Sequence, residues 1–393
     1  MLDIWPALPI IIKGDEYFSA RSVDNIVAAL EFSDRVREIN LTISESLVWD
    51  IFLAAMLQPF PELTYLSLQW DDDIDETAVV PDSFLGGFAA RLSLQGLRLG
   101  GIPFPGLPNL LLSAPHLYQL RLEDIPHSGY FSPDAMVSAL STLTSLESLS
   151  LTFKSPESCP DLESRRLSPS TRSVLPVLTD FLFKGVSEYL EDLVTDIDAP
   201  KLKKLVITFF NDIVFNTPRL IQFIRRTPMS SGLENAHIAL REDTARVTFR
   251  SSQIYGYILM LLEVSIFCEG LDWQLSSLEQ VCTSCLPFLS TLKDLYIHEH
   301  PYSQPYWRDN TENRVWLGLL HPFTAVKKLY ISEKFALLLG PALQELVEGR
   351  ATEVLPALEN IFLEGLESAG PVQEGIGQFV ATRQVLEMDK DYQ

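Results

Sequence analysis

Nothing in this chain is long and apolar enough to cross a bilayer. The longest apolar run, IYGYILMLLEVSIF at 254–267, has 14 residues and contains Glu263, where a spanning helix needs ~20. No membrane association is expected. Cysteine is scarce, with four in 393 residues, too few for a disulfide framework. The N-terminal MLDIWPALPIII has neither a basic leader nor a small-residue cleavage site, so a reducing compartment, cytosol or nucleus, is expected. Positive charge is also short: 30 Lys and Arg face 52 Asp and Glu, a formal charge of −22. Such a chain repels phosphate backbones, and its basic residues form only short clusters such as Lys201, Lys203 and Lys204, so no nucleic-acid partner is expected. Catalytic phrases are missing as well. There is no G-x-S-x-G elbow, no G-x-x-x-x-G-K-[ST] loop, no H-E-x-x-H, and no G-x-G-x-x-G after a strand, so an enzyme is not expected and no cofactor is implied.

What is present is a phrase. APHLYQLRL (114–122) recurs as FPELTYLSL (60–68), LPVLTDFLF (175–183), APKLKKLVI (199–207) and LPALENIFL (355–363). Without the proline, L-x-x-L-x-L continues through VREINL (36–41), LQGLRL (94–99), LESLSL (146–151), LENAHI (233–238), LKDLYI (292–297) and VKKLYI (326–331). The step from 233 to 292 is about double the others, so a degenerate copy is expected between Leu259 and Phe267; PALPIIIK (6–13) is a further worn copy. The total is about 13 units at irregular steps of roughly 23 to 34 residues.

Alternation in x-L-x-L buries one face of a short strand and leaves the other in solvent. The spacers read as helices. Val23, Ile26, Val27 and Leu30 form one stripe, and SPDAMVSALSTL (132–143) opens with Ser132 as N-cap and Pro133 at the first helical position. The proline of the phrase is expected to end each helix and favour an extended start to the next strand. The fold class follows: α/β, an irregular leucine-rich-repeat solenoid or horseshoe over 1–393, with a parallel sheet on the concave side and helices on the convex side. Residues 153–173 are expected to be a flexible insertion, and 371–393 a C-terminal capping helix.

The phrases WPALPIII, VDNIVAALEFSDRV, GIPFPGLPNLLLSAPHL, SALSTLTSLESLSL and HPFTAVKKLYI resemble, in their order, the leucine-rich-repeat region of the F-box-like proteins of mushroom-forming (basidiomycete) fungi. The resemblance covers nearly the whole chain. It implies recruitment of substrates to a Skp–cullin ubiquitin ligase. The relatives carry an F-box opening with an L-P-x-E-[LI]-type phrase ahead of the repeats. This chain shows none, so a Skp-type adaptor is expected as a partner only if an F-box is supplied. The apolar start, Leu2, Ile4, Trp5 and Leu8 onward, is an open sheet edge. The expectation there is a truncated product or an obligate partner, and a decaying duplicate without a partner is the further alternative.

Several groups admit chemistry beside a plainer reading. Cys282-Thr-Ser-Cys285 is a C-x-x-C without the second pair that zinc wants; inward-packed helix residues are the alternative. His298-Glu299-His300, near Tyr302, puts two imidazoles on one side of a strand. An enzyme or metal-dependent protein would use these His and Cys groups of residues 282–300. Asp71, Asp72, Asp73, Asp75 and Glu76 lack the glycine and distal glutamate of a calcium loop. Ser168, after Arg165-Arg166-Leu167 and before Pro169, is a candidate phosphosite whose phosphate would pair with those arginines.

The best candidate site is the set of letters between the leucines. Early repeats offer Glu38, Asn40 and Thr42; Tyr65, Ser67 and Gln69; Gln119, Arg121 and Glu123; and Ser148, Ser150 and Thr152. Later repeats place Leu182, Val206, Tyr296, Tyr330 and Phe362 in the middle column, with Asp294, Lys328, Lys184 and Lys204 as a charged rim. This strip is expected to hold a protein partner on the concave face, unless the C-terminal helix or the loop 301–314 covers it. The expected function is a non-catalytic protein-recognition scaffold, the substrate-binding part of an F-box-type receptor.

Overall fold

The structure, a computed structural model, describes residues 8–14, 20–70, 79–87, 92–158, 172–210, 217–251, 260–285, 288–299, 312–347, 350, 352–364 and 375–383. The chain divides into two compact units, Met1–Leu202 and Lys203–Gln393.

In the first unit, strands β1 (Ile10–Gly14), β2 (Val36–Ile43), β3 (Tyr65–Trp70), β4 (Gly96–Gly100), β5 (Gln119–Ile125), β6 (Ser148–Phe153) and β8 (Asp180–Gly185) pair in parallel in chain order. A short parallel pair, β7 (Ser173–Val174) with β9 (Ile197–Asp198), stands apart. Between the strands run α1 (Ala20–Leu30), α2 (Ser46–Ala55), α3 (Leu107–Leu111), α4 (Pro133–Leu140) and α5 (Ser187–Thr195). The inward letters line up in register as Ile39, Leu66, Leu97, Leu120, Leu149 and Phe181, all essentially without solvent contact. A one-residue slip would turn every one of them to water. Phe153, Phe183 and Tyr189 close this core as a ring cluster, with centroids 4.8 to 6.3 Å apart. Ser132 caps α4 as expected, its hydroxyl accepting from the Ala135 amide at 3.2 Å.

The recurring proline does something more specific than end a helix. The first leucine of each phrase donates its N–H three residues back, Leu63 to Phe60, Leu117 to Ala114, Leu178 to Leu175, Leu202 to Ala199 and Leu358 to Leu355. Each proline therefore occupies the second position of a hydrogen-bonded β-turn, where its fixed φ is already correct. The turn delivers the first leucine into the core. The next residues then start the ladder early, as in Thr64 N–H to the Arg37 carbonyl at 2.9 Å and Tyr118 N–H to the Gln95 carbonyl at 2.9 Å.

The second unit departs from chain order. Its strands are β10 (Lys204–Phe210), β11 (Asn235–Leu240), β12 (Thr244–Arg250), β13 (Leu261–Phe267), β14 (Asp294–Glu299), β15 (Lys328–Ser332) and β16 (Asn360–Glu364). They pair in the order β10-β13-β12-β11-β14-β15-β16, with β12 antiparallel to both neighbours. The expected degenerate copy is β13, with Leu262, Val264 and Ile266 inward. The unexpected strand is β12, which forms a hairpin with β11 and inserts between two repeat strands. Gln274, fully buried on α7 (Leu271–Cys285), locks this hairpin. Its amide donates to the carbonyls of Arg241 (2.7 Å), Cys268 (3.0 Å) and Glu242 (3.3 Å).

The remaining helices are α6 (Pro218–Arg226), α8 (Asn313–Leu320), α9 (Glu333–Glu345) and α10 (375–383). On α10, buried Arg383 donates to the carbonyls of Leu355 and Pro356, both at 2.8 Å. The fold is α/β, a mostly parallel sheet backed by helices, with turn, strand and helix repeating as in leucine-rich repeats. Among the described residues no helix is long and apolar enough to cross a membrane.

Candidate functional site

Period-2 alternation leaves one face of each sheet to solvent. In the second unit the middle row of that open face reads, strand by strand, Val206, Glu263, Thr248, His237, Tyr296, Tyr330, Phe362, each in register with the next. The last four are flat rings on adjacent parallel strands, and they stack. Centroids lie 4.4 Å apart for His237–Tyr296, 4.3 Å for Tyr296–Tyr330 and 4.6 Å for Tyr330–Phe362, with interplanar angles of 6°, 7° and 11°. The parallel sheet imposes this spacing. Strands repeat every ~4.8 Å and place equivalent Cβ atoms in line, so rings on one column lie face to face. Each contact is worth about 0.5–1.5 kcal/mol beyond burial.

Burial shifts the titration of two of these rings. Burial pulls the His237 imidazole down to about 4, with the Arg250 guanidinium and His298 acting in the same direction. Burial likewise pushes the Tyr296 phenol up to about 12, assisted by Tyr330 and Asp294. Near neutral pH His237 is therefore an uncharged imidazole and Tyr296 a phenol that keeps its O–H donor. Phe362 ends the row and is 42% exposed; Tyr296 and Tyr330 are half-buried, their faces covered by each other.

Two further rows flank the ladder. On one side stand Lys204, Leu261, Arg250, Asn235, Asp294, Lys328 and Asn360 in register. On the other, Arg246 is held by Glu263 at 3.3 Å and by the Ser265 hydroxyl at 3.2 Å, and the His298 ring lies 5.8 Å from His237.

The open face of the first unit is polar. The edge of the Tyr65 ring abuts Gly96, where a Cβ would sit 2.5 Å from it. Arg98 gives two hydrogen bonds to Glu123, at 2.7 and 3.0 Å. Ser67 and Ser150 are buried beside them, and Lys184 reaches Asp124 at 3.6 Å.

The expected strip is thus divided. Tyr296, Tyr330 and Phe362 are brought together, with Asp294 and Lys328 adjacent on the flanking row. Val206 is separated from Tyr296 by β13, β12 and β11, which place Glu263, Thr248 and His237 between them. Leu182 belongs to the first unit, on β8, where it is partly exposed. The strip is not one apolar run, because the hairpin interrupts it with polar letters. His237 escaped the sequence reading although LENAHI puts it in the same column. The phrase itself is recognisable as a rung; its middle letter is simply not the Tyr or Phe that marks the column in the later copies.

The His and Cys groups of 282–300 do not converge. His298 stands on the open face, whereas Cys282 is buried on α7 behind the sheet. Burial pushes the thiol of Cys268 up to about 11. Among the described residues no group of three or more His, Cys, Asp or Glu is placed to hold a metal ion. His300, Tyr302, the acidic run 71–76, Ser168 and the side chain of Cys285 lie outside the described residues, as does most of 153–173 and of the loop 301–314.

No protein-family model matches the sequence, and no curated protein is similar to it. Among solved structures, the leucine-rich-repeat-containing protein LegL7 from Legionella pneumophila aligns at 12% identity and a TM-score of 0.32, over 95% of this chain and 98% of that one. A likeness of that size adds no weight; the leucine-rich-repeat arrangement rests on the register, turns and burial of the strands themselves.

Proposed function

We propose that this chain is a non-catalytic protein-recognition scaffold, and that it holds a protein partner on the open sheet face of its second unit. One observation carries the reading: His237, Tyr296, Tyr330 and Phe362 form a registered ladder of stacked rings on the solvent side of the sheet. Rings held by their neighbours lose little side-chain entropy on binding, which is the property of interface anchors. The sequence resemblance supports a finer reading, in which the partner is a substrate for ubiquitylation and a Skp-type adaptor joins through an F-box supplied to the chain. Cytosol or nucleus is the compartment that suits it.

The test is affinity capture from a cell lysate with mass spectrometry, comparing the native chain with the Tyr296→Ala/Tyr330→Ala/Phe362→Ala variant. Loss of a specific partner, with the circular dichroism spectrum unchanged, is expected. Identical partner sets for both forms would overturn the assignment of recognition to the ladder. Skp and cullin subunits recovered by both forms would support the ligase link, and their absence from both would count against it.

A further inference from the structure

The row beside the ladder is basic in a chain that is strongly acidic. Lys204, Arg250 and Lys328 stand on it against one acid, Asp294, while the chain as a whole carries −22. None of these three cations has an ion pair with a described residue. Lys204 and Lys328 are exposed. Arg250 is half-buried, and its Nε atom is buried without a hydrogen-bond partner among the described groups. Arg246 differs, because Glu263 already neutralises it. Leaving a guanidinium N–H dry and unbonded costs stability, and concentrating cations is a use of the sheet that packing does not require.

The ladder itself selects the sign of its ligand. Tyr296 and Tyr330 are stacked on both faces, so what they turn outward is ring edge and hydroxyl. Ring edges carry the positive part of the aromatic quadrupole, and a phenol O–H is a donor. Edges, hydroxyls and cations all suit carboxylate oxygens. A nucleic-acid base would need ring faces to stack on, and those of Tyr296 and Tyr330 are taken by their neighbours.

We infer that the segment held by this face is an extended, carboxylate-rich peptide lying across the strands, with its acids on Lys204, Arg250 and Lys328 and an apolar side chain against the ladder near Phe362. This deepens the recognition reading and rests on it. Geometry fixes the spacing. Strands stand ~4.8 Å apart, so Lys204 and Arg250, two strands apart, are separated by ~10 Å, and Arg250 and Lys328, three apart, by ~14 Å. At ~3.1 Å per residue in a polyproline-II segment, whose three-residue turn keeps positions three apart on one side, acids about three and then four positions apart come within side-chain reach of all three cations.

The experiment is fluorescence anisotropy on the full chain with a labelled peptide of about twelve residues, its glutamates spaced three and four apart with one leucine at the end nearest Phe362. Controls are the same peptide with glutamine or lysine replacing glutamate, and an oligouridylate of similar length. The glutamate peptide is expected to bind at least about tenfold tighter than any control, and to weaken as salt rises from roughly 50 to 500 mM. Lys204→Glu/Lys328→Glu changes two exposed side chains and should fold; it is expected to weaken binding by about tenfold or more. Arg250→Gln, checked by circular dichroism, is expected to do the same. Equal binding of the glutamine peptide, preference for the lysine peptide or for oligouridylate, no measurable binding, or indifference to the charge reversal would overturn the inference. A lysate partner lost from the ladder variant but kept by Lys204→Glu/Lys328→Glu would sink the acidic segment and leave the recognition reading standing.

Discussion

The two units use one repeat and carry open faces of opposite chemical character. In the first, strands follow chain order and the open face is a polar lattice, with Arg98 tied to Glu123 and the Tyr65 ring edge against Gly96. In the second, a hairpin breaks the order and the open face carries four stacked rings beside cations without an ion pair among the described residues. The inward leucines are common to both units, so they do not explain the difference. The letters between them do, together with one inserted strand that separates Val206 from the aromatic column. A repeat protein can thus keep its core constant and rewrite a surface at little cost to folding.

Four substitutions break or sharpen that contrast. The largest effect is expected for Phe183→Ala, which empties the fully buried ring cluster of Phe153, Phe183 and Tyr189; a loss of ~3–5 kcal/mol should appear as a lower urea midpoint. Gln274→Ala addresses the feature peculiar to the second unit. It strips three carbonyls of a buried donor, and a cost of ~2–3 kcal/mol should come with faster amide exchange in the turn between β11 and β12.

His237→Phe keeps the stack and removes a titration. The imidazole is held near 4 in the fold against 6.5 unperturbed, so the unfolded chain takes up its proton first as the medium is acidified. The contribution is complete above pH ~6.5 and is lost as pH falls toward ~4. A fall from 6.5 to about 4 corresponds to ~3.4 kcal/mol at most. Because solvent still reaches part of the ring, native stability should drop by about 2 kcal/mol more than the variant's across that window, read from denaturation midpoints at each pH. The smallest effect is expected for Gly96→Ala. Its new methyl meets the edge of the Tyr65 ring, which must swing outward at a cost of ~1–2 kcal/mol and leave the polar face of the first unit altered while the ladder stacks as before.

Much of the architecture was legible because burial leaves a periodic trace. Thirteen strands of the principal pairing were marked by their inward residues, including the worn copies that became β1 and β13. Strand β12 was not, because Ala245, Val247 and Phe249 alternate like any strand but carry no phrase, and its place between β11 and β13 is a non-local pairing. The column of Tyr296, Tyr330 and Phe362 could be read from register alone. Their stacking could not, since it depends on ring orientation, and neither could the flanking cations. Arg250 joins Lys204 and Lys328 only because an antiparallel strand carries it there. The proline was recognised as a boundary, yet its place in a β-turn became visible only with the hydrogen bond that closes the turn.

The central claim is that recognition resides on the ring ladder of the second unit and not on the polar lattice of the first. The most direct measurement compares a captured partner's affinity for three forms: the native chain, the Tyr296→Ala/Tyr330→Ala/Phe362→Ala variant and an Arg98→Ala/Arg121→Ala variant. Loss of at least about two orders of magnitude for the ladder variant alone is the expected result, the scale of a small cluster of interface anchors. Loss for the arginine variant with the ladder variant unaffected would contradict it.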